Sequence, residues 1–274
     1  MGIQRIEYFL DQIKTAPEDG LFDVCTVEVE YLRTNYSLSA FRRALTSYRW
    51  AIRQMLDENK VDEVVGYMTL KKDESGELAM AKEKQISKDL LNQRPINDID
   101  VFIMKAVELL DSSSQHDKVI GLAALTGRRM AEIGCTAKFE RIAGDDTRVL
   151  FTGQLKMKGR SDQSSYSIPV LGNVDKIIKT LALVHENKPV YLNNTIRFHN
   201  ACSKELGRKT KKLFEGVSDS PLSPKDLRSI YAEISYALDD DKRVAKQKYF
   251  SQVLGHGEDD NSTGVSYLDF YIVD

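Results

Sequence analysis

The chain has 274 residues, 42% hydrophobic and 29% charged, with a formal net charge of −2, the composition of a globular protein large enough for two domains. That excludes a disordered or strongly polybasic chain; no apolar run approaches the ~18 residues of a membrane span, and the N-terminal segment MGIQRIEYFLDQIKTAPEDG lacks an export signal's basic-then-apolar order. Cys25, Cys135 and Cys202 are far apart, odd in number and without metal-ligand spacing, so they read as free thiols in a reducing cytoplasm.

The first ~70 residues look largely helical. Over residues 37–56 the apolar positions Leu38, Phe41, Leu45, Tyr48, Ile52 and Met55 recur every three or four residues, which predicts an amphipathic helix. Its other face carries Arg42, Arg49 and Arg53, with Arg43 beside them; the wet side of a helix commonly looks like this, and so does a phosphate-binding face. Between residues 70 and 88 the chain is charged and aperiodic, broken by Ser75 and Gly76, and reads as a linker. The expected division is therefore a helical domain with its linker over residues 1–85 and a larger domain over residues 86–274.

Beyond the linker, helical patterns cover "INDIDVFIMKAVELLDSS" and "DKVIGLAALTGRRMAEIG", the second interrupted at Thr126-Gly127. The period then shortens: residues 147–154 and 164–170 read as two strands joined by a long polar loop, "LKMKGRSDQ". Helices follow over residues 174–184, 194–213, 224–238 and 242–254, the last stopped by Gly255. The segment "KELGRKTKK" concentrates Lys204, Arg208, Lys209, Lys211 and Lys212 around a single acid, Glu205, so a basic surface can exist on a chain whose net charge is slightly negative. In "SPKDLRSIYAE", Ser223 is an N-cap, Pro224 fits the first helical position and Asp226 can close a capping box. Lys225 and Arg228 then share a face near a helix N-terminus, where two cations together make sense around an anion.

Four separated pieces carry the chemistry: "ALTGRRMAEIG", "FTGQLKMKG", "SPKDLRSIYA" and "VLGHGEDDNSTGVSYLDF". In order and spacing they resemble the catalytic boxes of the tyrosine recombinase and topoisomerase IB superfamily, over roughly residues 96–271. Metal-free cleavage of a DNA strand needs a nucleophile, cations for a phosphorane-like transition state and a proton for the departing sugar oxygen, and arginine forks clamp phosphate oxygens as lysine cannot. By that resemblance Arg129 and Arg228 are the two family arginines, with Glu132 supporting the local fold. Lys156 is the hairpin lysine acting as general acid, with Lys158 as its competitor. Lys225 stands where histidine is usual, and His256 hydrogen-bonds the phosphate or assists proton transfer. Tyr267 is the nucleophile that forms a 3′-phosphotyrosine, with Tyr271 as the alternative because the interval from His256 is longer than in many relatives; Gly264 offers slack in it.

Lysine in Lys225-x-x-Arg228, the doubled Arg128-Arg129, "FTGQLK" and the "SYLDFYIV" stretch most resemble protelomerases, or telomere resolvases, and "YSLSAFRRALTSYRWAIR" resembles their core-binding segment. The resemblance implies a mainly α fold with a small antiparallel β-sheet, made of a tyrosine recombinase catalytic domain and a helical core-binding domain, with little room for accessory domains. It implies cleavage and rejoining of double-stranded DNA at an inverted repeat to give hairpin telomeres, by a homodimer on DNA, without metal, ATP or other cofactor and without a membrane, in the cytoplasm of a bacterial or phage-infected cell. Arg42, Arg49, Arg53, Lys204, Arg208, Lys211 and Lys212 are then the expected phosphate contacts. A conventional recombinase or integrase, or a catalytically silent DNA-binding protein, would carry the same fold.

Overall fold

The computed structural model describes residues 3–56, 58–155, 165–239, 243–256 and 264–273. The chain divides into two compact units, Met1–Gln85 and Ile86–Asp274.

The first unit contains helices α1 (Ile3–Thr15), α2 (Leu21–Asn35), α3 (Leu38–Met55) and α4 (Glu58–Tyr67). The apolar stripe read from the sequence is the buried face of α3: Phe41, Leu45, Tyr48 and Ile52 are fully enclosed and pack with Phe9, Ile13, Leu21, Leu32 and Val64. One carboxylate lies inside this core. Glu28 accepts hydrogen bonds from Arg5, at 2.8 Å from both Nε and Nη2, and from the Tyr48 hydroxyl, so its burial is compensated.

The expected linker is helix α5 (Lys72–Leu91), none of whose residues is buried. Without an apolar face it shows no helical period, yet Glu, Lys, Ala and Met are strong helix formers. Glu74 helps start the helix, accepting from the backbone N–H of Lys71 at 2.8 Å and from Arg33 Nε at 2.6 Å.

The second unit is built around two helices, α7 (Gln115–Thr126) and α11 (Pro224–Ala237), that are buried along most of their length. Around them pack α6 (Ile99–Leu110), α8 (Met130–Cys135), α9 (Val174–Asn187), α10 (Thr195–Leu213) and α12 (Lys246–Val253). A three-stranded antiparallel sheet holds β2 (Lys138–Arg141), β3 (Arg148–Thr152) and β4 (Tyr166–Pro169) in that order, with Phe139 opposite Phe151 and Phe151 opposite Tyr166. The β3–β4 hairpin is the one expected from the sequence; β2 has no such signature, because only Phe139 of its four residues faces the core. A second, parallel pair joins β1 (Arg94–Ile96) to β5 (Phe270–Ile272), with Arg94 opposite Phe270.

Candidate active site

The ends of the two buried helices meet. At the C-terminus of α7, Gly127 adopts φ +64°, and a Cβ there would lie 2.1 Å from the ring of Tyr231 on α11. Only glycine permits both the left-handed turn and that approach. The turn delivers Arg128 and Arg129 to the start of α8. On α11 the capping box is present as read: Ser223 Oγ accepts from the N–H of Asp226, and Asp226 Oδ2 accepts from the N–H of Ser223 at 2.7 Å. Arg94 also binds Asp226, so β1 holds this helix end from outside.

Arg228 is 4% exposed and its guanidinium is fully engaged in orientation. Nη1 donates to Gly127 O, Nη2 donates to Leu254 O, and Nε donates to the Tyr267 hydroxyl at 3.3 Å. The two terminal nitrogens each keep a further N–H for an incoming oxygen. Burial pulls the Arg228 guanidinium below its ordinary value, with repulsion from Arg128 adding to it, so this is a cation that an anion would relieve.

Arg129 caps α8 and donates from Nη1 to Glu132 Oε1 at 2.6 Å, while its backbone N–H donates to Glu132 Oε2 at 2.9 Å. Glu132 is wholly buried. Burial alone would push its carboxyl up, but the surrounding Arg228, Arg128 and Arg129 outweigh this and hold it below the usual carboxylate range. Its Oε1 also accepts from the backbone N–H of Leu155 at 3.3 Å. One anion thus faces three arginines, leaving the centre positive.

Tyr267 is partly buried. Its ring lies tilted against His256, with centroids 5.4 Å apart at 32°, while Arg228 Cζ and Lys225 Nζ stand 5.4 and 5.8 Å from its centroid. Burial, the largest influence, raises the phenol; the charge and hydrogen bond of Arg228, with Arg129 and Lys225, outweigh it and hold Tyr267 below its ordinary value. Lys225 donates to Asp269 Oδ2 at 3.1 Å, and Asp269 also accepts from Ser229 Oγ at 3.3 Å.

The structure therefore brings together Arg129, Lys225, Arg228, His256 and Tyr267 of the expected set. Tyr271 is elsewhere: it is on β5 opposite Pro95, 44% exposed. Lys156 and Lys158 lie outside the described residues. Gly264 is closely packed, since a Cβ there would come within 2.6 Å of Gln247 O and 2.5 Å of Ser251 Oγ, and the rest of the interval before it, residues 257–263, lies outside the described residues. The sequence reading missed Asp269, whose role depends on a lysine 44 positions away. It also gave no task to Arg128, which is 1% exposed and donates from Nε to Thr126 O at 3.1 Å, from Nη1 to the Tyr166 hydroxyl at 2.5 Å and from Nη2 to Val253 O. The doubled arginine is thus one buried strut and one partly exposed site arginine.

Among the seven expected phosphate contacts, Arg42 and Arg53 are exposed on α3, while Arg49 is half-buried and donates from Nε to Leu45 O at 3.3 Å. On α10, Lys204, Lys211 and Lys212 are exposed, but Arg208 makes a two-pronged pair with Glu205 at 2.8 and 2.7 Å. Lys209 serves the fold, donating to Asp117 Oδ1 at 2.6 Å. Among the described residues no three His, Cys, Asp or Glu side chains group as a metal site requires, and no helix is long and apolar enough to cross a membrane.

Residues 93–270 match the family model of the telomere resolvase ResT/TelK catalytic domain. No curated protein sequence matches the chain. Among solved structures, selenomethionine protelomerase TelA covalently complexed with substrate DNA aligns with a TM-score of 0.89 at 23% identity, over 98% of this chain and 88% of that one. A TelA variant complexed with DNA hairpin product aligns with a TM-score of 0.90 at 22% identity over the same shares. Protelomerase TelK complexed with substrate DNA gives 0.63 at 20% identity, over 99% of this chain and 59% of that one. These likenesses are of fold.

Proposed function

The chain belongs to the telomere resolvase family, and from that premise we propose that it cleaves and rejoins double-stranded DNA at an inverted repeat, leaving covalently closed hairpin ends, with Tyr267 as nucleophile. The observation that carries the assignment is the Arg228 guanidinium, fixed by Gly127 O and Leu254 O with its Nε on the Tyr267 hydroxyl at 3.3 Å.

In the cleavage step the Tyr267 phenol gives up its proton to solvent, the Tyr267 Oη–P bond forms and the P–O5′ bond breaks. O5′ takes a proton from Lys156, and the strand is left as a 3′-phosphotyrosine. Arg129 and Arg228 hold the two non-bridging oxygens, whose charge grows in the transition state, and being already oriented they need no rearrangement there. His256 hydrogen-bonds the phosphate, and Lys225 adds positive charge behind the tyrosine. Rejoining reverses the step with a different 5′-hydroxyl: O5′ attacks the phosphorus, its proton returns to Lys156, and the phenolate leaves and is reprotonated. The phosphodiester bond energy is kept throughout, so no nucleotide cofactor enters. An inverted repeat has two scissile phosphates related by a twofold axis, which calls for two protomers on the DNA.

The test is incubation with a labelled duplex spanning an inverted repeat of the source replicon, in EDTA, followed by a denaturing gel. Half-length products that snap back as hairpins are expected. Tyr267→Phe should bind that duplex and form neither adduct nor hairpin; adducts surviving in Tyr267→Phe and lost in Tyr271→Phe would move the nucleophile. Exchanged strands without hairpins would overturn the hairpin-forming reading.

A further inference from the structure

Next to the catalytic residues lies a chain of buried hydrogen bonds that the cleavage step does not use. Arg128 can only donate, so its Nη1 fixes the Tyr166 hydroxyl as acceptor and makes that hydroxyl donate onward. It donates to Gln154 Oε1, and the amide nitrogen of Gln154 in turn donates to Gly255 O. At its other end Arg128 is bolted to Thr126 O and Val253 O. The chain has a single direction from Arg128 to Gly255, and every member is buried or half-buried.

Its termini are informative. Gln154 is two residues before Lys156, and Gly255 immediately precedes His256. Gly255 has φ +72°, and a Cβ there would fall 2.0 Å from both Gln154 Oε1 and the Tyr166 hydroxyl. The glycine therefore lets the backbone press directly onto the glutamine–tyrosine pair. Tyr166 is itself held edge-on to Phe151 at 5.5 Å, so both strands of the hairpin are clamped at the same level.

We propose that Gln154, Tyr166 and Arg128 form a positioning latch that ties the described chain leading into Lys156 to the segment bearing His256, so that delivery of the proton to O5′ depends on them. It rests on the reading of Lys156 as general acid. A side chain that must reach a leaving oxygen within hydrogen-bond distance is sensitive to the placement of its own backbone, and the latch fixes the described chain on both flanks of that segment, at Gln154 and at Tyr166.

The test uses two duplexes of the inverted repeat, one natural and one with sulfur replacing the scissile O5′, since a thiolate leaves without a proton. Gln154→Glu keeps the shape but turns an acceptor toward Gly255 O; Tyr166→Phe removes one hydroxyl and carries the same comparison should the first variant fold poorly. Both should bind natural DNA as the parent does, cleave it on the order of 100-fold more slowly, and cleave the sulfur duplex at nearly the parental rate. Equal slowing on both duplexes overturns the latch. Lys156→Ala separates the two readings: if sulfur restores it but not the latch variants, the latch alone falls, and if sulfur fails to restore it, the general-acid reading falls and the latch with it.

Discussion

Tyr267 sits where the charges of Arg228, Arg129 and Lys225 converge, and its proton is the residue-scale handle on this site. Each cation favours the phenolate and burial opposes it, so removing a cation must move the phenol up. Lys225→Gln, which loses a charge near the ring but no packing against the core, should shift the ionisation limb of the pH–rate profile for adduct formation to higher pH. A profile that did not move, or moved to lower pH, would mean that Lys225 does not act on the ionisation of Tyr267. Chemistry of this kind is legible in the sequence because arginine, lysine, histidine and tyrosine announce themselves by type and box. Asp269, Gln154 and Tyr166 are not legible there. Each makes its contacts only with residues that folding brings to it from far along the chain or from the facing strand, and a buried glutamine or a tyrosine hydroxyl has no local signature.

The elements that place the site are the ends of α7 and α11, and their junction at Gly127 couples packing to catalysis. A methyl group there meets the Tyr231 ring, which is itself held by a hydrogen bond from its hydroxyl to Pro169 O at 2.7 Å. Gly127→Ala combines left-handed strain with overpacking and should cost about 2–5 kcal/mol. The urea midpoint of the catalytic unit checks this, and a loss below about 1 kcal/mol would mean that Tyr231 can yield. Because Gly127 O also holds Arg228, adduct formation should fall at temperatures where the variant is still folded. The helices α3 and α11 can be read from the sequence for opposite reasons, one by its apolar stripe and the other by its cap. Helix α5 has neither, and only the propensity of its residues marks it. The β1–β5 pair joins three-residue strands more than 170 positions apart, one containing a proline, and nothing local distinguishes such segments from loop.

For the whole molecule, a net charge of −2 conceals an uneven surface. Lys204, Lys211 and Lys212 project from α10 without the two-pronged acidic partner that engages Arg208, and Arg42 and Arg53 project from α3. If these cations bind phosphates, DNA affinity should fall steeply with salt, and removing one phosphate-binding side chain should flatten the log–log slope by about 0.9. Replacing Lys211 and Lys212 together by alanine should flatten it by about 2, whereas Arg208→Ala should change it less, because Glu205 already competes for that guanidinium. Binding titrations at several salt concentrations read both, and identical slopes for all the proteins would remove α10 from the DNA interface.

The parallel β1–β5 pair has a mechanical consequence. β5 begins three residues after Tyr267, and its first residue, Phe270, is 1% exposed and lies under the guanidinium of Arg94, 4.2 Å from its ring centroid. Tyr267 is thus held on its C-terminal side by a leash of only three residues. On the proposal that Tyr267 takes the strand, the joined 3′ phosphate is moored to the body of the catalytic unit, and the swing that brings a new partner to it falls to the unattached 5′ end of the nucleic acid.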